Sequence, residues 1–345
     1  MRLGIIGLPQ SGKSTVFEAL TLTKREPAGR IEPKIGTVRV SDPRVEQLSA
    51  MFRPEKTTFA QVEYLLPGLN GRSADRKAEE EGIWNGVRTC DALVHVVRNF
   101  NVSGAPPASP AADFARLDHE MIFADLMTLT KRLERLRYDK DRGKKYDAAE
   151  VALLEECIRR LESGQPLRHN PELASSAALK GFALVSAKPV LVLFNNDDWH
   201  EAAPDVNGIL KHETCMVVRG RLEAELAMMP REEAREFRAE FGISGSALDR
   251  IVHASYSLLG LIPFFTVGED EVRAWTVRRG TAALDAADVI HSDIRQGFIR
   301  AEVLAYDDLA SAGSYAEARK RGTVRLEGKT YPVNDGDIIE FRFSV

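Results

Sequence analysis

The sequence predicts an α/β fold built on a parallel sheet, and three features of its 345 residues carry that prediction. Residues 2–6 (RLGII) form a short apolar run that enters a glycine turn and then a helix-like segment, STVFEALTL. Strand, glycine loop and helix in that order open an α/β unit. Three more largely apolar runs, 62–66 (VEYLL), 92–97 (ALVHVV) and 189–194 (PVLVLF), read as buried parallel strands, with 215–218 (CMVV) a weaker fifth. The glycine turn itself, Gly7-Leu8-Pro9-Gln10-Ser11-Gly12-Lys13-Ser14, fits the pattern G-x-x-x-x-G-K-[ST] at every position.

Between the third and fourth of these strands the period changes. Ile122, Leu126, Leu129, Leu133 and Leu136 recur at spacings of 4, 3, 4 and 3, and Val151, Leu154, Ile158 and Leu161 at 3, 4 and 3. Two heptad-like stripes separated by a charged turn at Gly143 predict an antiparallel helical hairpin, or coiled coil. Strand-like sequence resumes at Pro189, so the hairpin interrupts the α/β domain. The stretch 104–112 (GAPPASPAA) before it reads as a loop. Beyond residue 262 the chain breaks into short strands with polar turns and one helix candidate at 282–290, a small α+β domain. The predicted division is therefore 1–115 with 185–261, then 116–184, then 262–345.

Composition narrows the class. Apolar residues at 44% and charged residues at 28% are ordinary for a globular chain. The net charge, 47 − 51 = −4, is too near zero for the whole chain to bind a polyanion, though a local basic patch is compatible with it. No apolar run reaches the roughly 18–20 residues a membrane helix needs. The first segment turns polar too early for a secretion signal. Three cysteines without a C-x-x-C pair suggest neither a disulfide framework nor a zinc site. A reduced, cytoplasmic setting is expected.

The glycine turn has a chemical reading. Glycines let successive backbone N–H groups curl inward at a helix N-terminus, making an anion nest. Lys13 then reaches the β- and γ-phosphates of a nucleotide and the Ser14 hydroxyl binds Mg²⁺. The expected phosphate-binding set is Gly7, Leu8, Pro9, Gln10, Ser11, Gly12, Lys13, Ser14 and Thr15, with Ser14 as metal ligand. The strand 189–194 ends in Asn195-Asn196-Asp197-Asp198, at the strand edge where ligands bind in such sheets. In this N-x-x-D pattern the Asp198 carboxylate accepts the N1–H and N2 amino protons of guanine, a pair that adenine lacks. Asn195, Asn196 and Asp198 complete the nucleotide set, with GTP slightly favoured over ATP.

With these motifs in view the chain resembles the YchF family, also called Obg-like ATPases, of translation-factor-related P-loop GTPases. The resemblance covers nearly the whole chain and rests on GLPQSGKSTVFEALT, IEPKIGTVRVSDPRVEQL, KPVLVLFNNDD and VRAWTVRRGTAALDAADVIHSDIRQGFIRAEV. It implies a P-loop NTPase domain, a coiled-coil insertion and a C-terminal TGS domain of β-grasp type, with nucleotide binding and ribosome association. Three departures stand against it. The family's N-x-x-E, which admits ATP, is N-x-x-D here. The threonine that the family places before I-E-P is Arg30, which cannot ligate a cation. The family's D-x-x-G after the second strand has no aspartate in 62–69; Gly68 is left as the γ-phosphate glycine, followed by Leu69 rather than a water-orienting glutamine. Nucleotide binding with weak or absent hydrolysis is expected.

The predicted hairpin tip, 131–145, holds eight basic and three acidic residues. Lys131, Arg132, Arg135, Lys140, Arg142, Lys144 and Lys145 are candidates for RNA phosphate contacts. Three functions stay open at this level: a nucleotide-dependent ribosome- or RNA-associated factor, an active ATPase or GTPase, and an RNA-binding scaffold with a vestigial pocket.

Overall fold

A computed structural model describes residues 1–23, 32–68, 76–144, 147–206, 208, 211–241, 243 and 245–344. They fall into two compact units, Met1–Thr37 with Glu63–Ile251, and Val38–Val62 with Val252–Val345. Along the chain, β1 (Arg2–Ile6) leads through a loop to α1 (Lys13–Thr21) and β2 (Lys34–Arg39). Next come α2 (Pro43–Phe52) and β3 (Lys56–Thr58), both in the second unit, before β4 (Gln61–Leu66) returns to the first. The first unit continues with α3 (Arg76–Val87), β5 (Ala92–Asn99), α4 (Pro110–Asp141), α5 (Ala148–Glu162) and the one-turn α6 (Pro171–Ala174). It then adds β6 (Val190–Asn196), β7 (Thr214–Val218), α7 (Gly220–Met228) and α8 (Arg231–Glu240), and α9 (Ala247–Leu258) begins in it and ends in the second unit.

The first sheet has the order β2-β4-β1-β5-β6-β7. Strands β4, β1, β5, β6 and β7 run parallel. Every residue of β6 and the first six of β5 are buried, as the apolar runs predict. Because the strands are parallel, the loops after β1, β5 and β6 open at one edge of the sheet. One strand has no counterpart in the sequence reading. The residues of β2, KIGTVR, carry charges at both ends and bury only Gly36, the pattern of an edge strand rather than an apolar run.

The hairpin is present as α4 and α5, joined by a turn at Gly143 with φ of 72°. The helix α4 has 32 residues, about 48 Å at 1.5 Å per residue. It begins at Pro110, inside the stretch expected to be a loop. Its first half puts Phe114, Leu117 and Met121 into the core beneath the sheet, with Trp84, Val97 and Phe194. Its second half puts Leu129, Leu133 and Leu136 against Leu154, Cys157 and Leu161. One helix thus serves two cores. Midway, the buried Asp125 carboxylate accepts from the N–H groups of Val185 (3.0 Å) and Ser186 (2.7 Å), where the chain re-enters the sheet. Burial pushes that carboxyl's pKa upward.

The second unit contains β8 (Leu261–Val267), β9 (Glu271–Arg278), α10 (Ala283–Ile290), α11 (Ser292–Gln296) and β10 (Phe298–Ala305). It ends with α12 (Tyr306–Ala312), α13 (Tyr315–Lys320), β11 (Arg325–Glu327) and β12 (Asp337–Phe343). Its sheet order is β11-β10-β12-β8-β9-β3. The expected helix is α10, but α11, α12 and α13 accompany it. At five to seven residues these are too short to show a helical period, and α13 is fixed by its cap, Ser314 Oγ accepting from Glu317 N at 3.2 Å. The outlying strand β3 pairs parallel with β9, and Thr58 Oγ1 donates to Glu271 Oε1 at 2.6 Å. Val45 and Leu48 of α2 are buried, and Arg44 pairs with Asp335 at 2.8 Å. Among the described residues no helix is long and apolar enough to cross a membrane.

Candidate functional site

The loop between β1 and α1 is held by its glycines. A Cβ at Gly7 would lie 2.4 Å from the Val96 carbonyl oxygen, and one at Gly12 would lie 2.1 Å from Asn195 Nδ2. Gly12 also caps α1 with φ of 91°, a conformation that costs other residues energy. Lys13 Nζ reaches back over the loop and donates to the carbonyls of Gly7 (2.7 Å) and Leu8 (2.8 Å). Burial pushes its pKa down to about 8, so a nearby polyanion would stabilise its charged form. Ser11 Oγ is buried and has no hydrogen-bond partner among the described residues. Ser14 is exposed in the first turn of α1, while Pro9 and Gln10 form the exposed crest of the loop.

The base side is built from the end of β6. Asn195 Nδ2 donates to the Ser11 carbonyl (3.0 Å) while its Oδ1 accepts from Gly220 N (2.9 Å). This one side chain ties the phosphate loop, β6 and the start of α7 together. Asn196 also lines the cleft; it donates to the carbonyls of His200 and Ala202, both at 2.9 Å, and accepts from Asn99 Nδ2 at 2.8 Å. Those bonds lock the turn after β6 and use both ends of its amide. Asp198 differs from both. Its Oδ1 is buried without a hydrogen-bond partner among the described residues, and the residue lines a cleft of about 1000 Å³ shared with Gly12, Thr15, Phe100, Asn195 and Arg221. A cleft lined by a carboxylate at one side and by the phosphate loop at the other fits a purine nucleotide, with the base at one end and phosphates at the other.

The metal side is sparse. Gly68 lies half-buried just beyond the end of β4. Glu63, the acid closest to it within that strand, pairs with Arg2 at 2.9 Å. It lies five residues back, about 16 Å along the strand. Arg30 and Leu69 lie outside the described residues. Among the described residues no cluster of three acidic, histidine or cysteine side chains can hold a metal. The exposed Ser14 hydroxyl does fit a magnesium ion that takes its other ligands from phosphate oxygens and water, a common arrangement for that ion.

At the hairpin tip, several candidate cations are already paired. Arg132 makes two bonds to Glu150, at 2.8 and 3.0 Å, and Lys144 pairs with Asp139 at 2.9 Å. Arg142 lies 4.5 Å from the Tyr138 ring centre. Lys131, Arg135 and Lys140 are exposed, and Lys145 lies outside the described residues. The chain's cysteines offer no reactive thiol pair: Cys90 and Cys157 are buried, and desolvation pushes both up to about 11.

A parallel sheet, a glycine-bound phosphate loop at its edge and an inserted helical arm define a P-loop nucleotide-binding protein. The C-terminal YchF-GTPase family, described as a protein of unknown function (DUF933), matches residues 261–344. "Ribosome-binding ATPase YchF" of Bacillus subtilis is 37% identical over 99% of both chains. The protein of that name from Pasteurella multocida is 36% identical over 100% of this chain and 99% of its own. The solved structure of the Schizosaccharomyces pombe YchF GTPase superposes with a TM-score of 0.86 at 28% identity, covering 99% of this chain and 97% of that one. The chain belongs to the YchF family.

Arg221 and Glu225, which the sequence does not single out, line the same cleft as Asp198. They sit on α7, more than twenty residues beyond the base motif, and no short motif announces them.

Proposed function

We propose that this chain is a ribosome-associated factor of the cytoplasm that binds purine nucleoside triphosphates, accepts GTP at least as well as ATP, and hydrolyses them slowly. The observation that carries the nucleotide reading is a single cleft lined by Asp198 on one side and by Gly12 and Thr15 of the phosphate loop on the other. In this reading Lys13 leaves the loop carbonyls for the β- and γ-phosphates. Asn195 holds the loop in register with the base end. Asp198 accepts from the N1–H and N2 amino groups of guanine. Ser14 and the phosphates would hold a magnesium ion, which would supply positive charge against that developing in phosphoryl transfer.

The lack of an aspartate in 62–69 supports slow turnover, since among the described residues just after β4 no carboxylate is placed to support the metal. The names of the bacterial relatives support ribosome association. The hairpin (116–184) and the C-terminal part (262–345) serve as the contact elements and 1–115 with 185–261 as the nucleotide domain.

Single-turnover hydrolysis with Mg²⁺ and co-sedimentation with purified ribosomes test this together. The expected rate is below ~10⁻³ s⁻¹ for either nucleotide, near that of an unassisted small GTPase. Lys13→Ala should remove the nucleotide dependence of co-sedimentation. A rate above ~1 s⁻¹ sinks the slow-turnover reading. Co-sedimentation indifferent to nucleotide and to Lys13→Ala makes the pocket irrelevant to the ribosome.

A further inference from the structure

Arg221 is the one cation among the described residues that line the base cleft. Its Nε lies 3.8 Å from Asp198 Oδ2 and donates to Glu225 Oε1 at 3.2 Å. Glu225 follows it by one helical turn on α7, so the guanidinium stands between two carboxylates that draw it in opposite directions. The neighbouring polar groups are occupied: Asp197 by His200 Nδ1 at 2.7 Å and the N–H of Trp199 at 3.1 Å, Asn196 by the turn carbonyls.

This placement bears on base choice. A carboxylate that selects guanine offers one oxygen to N1–H and the other to the N2 amino group, and it repels the N1 lone pair that adenine presents there. A guanidinium beside the second oxygen weakens both effects. It competes with the N2 amino protons for Oδ2, and its positive charge reduces the repulsion felt by adenine N1. We infer that Arg221 sets the purine selectivity of the cleft: shared between Asp198 and Glu225, it screens the Asp198 carboxylate and lets adenine nucleotides enter beside guanine ones. The inference rests on Asp198 facing the base, as read above. Arg221 is 78% exposed, so solvent damps its effect to a few-fold and its replacement leaves the core untouched.

Dissociation constants for GTP and ATP, measured by calorimetry on the full chain, give the selectivity ratio directly, and effects on phosphate binding cancel in it. Arg221→Gln should raise the preference for GTP over ATP by roughly three- to fivefold. Glu225→Gln frees the guanidinium for Asp198 and should lower that preference about twofold. In an Asp198→Asn background, which removes the charge being screened, Arg221→Gln should leave the ratio unchanged. If Asp198→Asn alters the ratio but Arg221→Gln does not, the role of Arg221 is overturned while the base-facing role of Asp198 stands. If Asp198→Asn itself leaves the ratio unaltered, both fall.

Discussion

Lys13 shows how much of the site's behaviour one side chain sets. Its ammonium is buried over the loop, held by the Gly7 and Leu8 carbonyls, and desolvation brings its pKa down to about 8. The protonated form is the one that pairs with phosphate. Triphosphate affinity should therefore hold steady below pH 8 and fall above it, because binding must then take up a proton. The decline is at most about tenfold per pH unit. Calorimetry at pH 7 and 9 in buffers of different ionisation enthalpy reads the uptake, and Lys13→Met should flatten the profile. The phosphate loop was fully legible because its spacing is local and each glycine answers a steric demand. Asn196 was not. The motif does not show that the Asn196 amide bonds to His200, Ala202 and Asn99, and Asn99 lies on a different strand. A motif records which side chains are adjacent in the chain; it does not record which way each one turns.

At the scale of elements, α4 shows the same contrast. The heptad spacing of its second half revealed the hairpin. The helix start at Pro110 was hidden by proline-rich sequence, although proline suits the first helical turn. Charge at the tip also reads differently once folded. Arg132 is tied to Glu150 and Arg137 to Glu155 across the two helices, whereas Lys131 and Arg135 face solvent on α4. Charge reversal of that exposed pair, Lys131→Glu with Arg135→Glu, should weaken ribosome co-sedimentation and reduce its salt slope by about 2, near 0.9 per phosphate contact. Arg132→Gln should instead cost at most about 1 kcal/mol of stability and leave the salt slope unaltered. Equal effects from both changes would mean that the tip acts through its fold rather than its charge.

For the molecule as a whole, the notable feature is the excursion of 38–62. The strands of the C-terminal sheet from β8 onward could be anticipated from local sequence. The membership of β3 could not, because its partner Glu271 lies 213 residues from Thr58, and three residues carry no pattern of their own. A chain ending at residue 261 should lose more than its C-terminal strands. It would strip β3 of β9, uncover Val45 and Leu48, and leave Arg44 without Asp335. Such a truncation should express poorly or aggregate, with a thermal transition well below that of the full chain by calorimetry. A truncated chain that stays monomeric with an unaltered transition would show that 38–62 folds without that support.

The excursion also governs what a protease could separate. The backbone passes between the two units three times, at 37/38, 62/63 and 251/252. A single nick at the last of these would sever the backbone but not the ladder between β3 and β9, nor the α2 ion pair to Asp335. The cleaved halves would travel together until denatured, like a door lifted off one hinge and still hanging from the other.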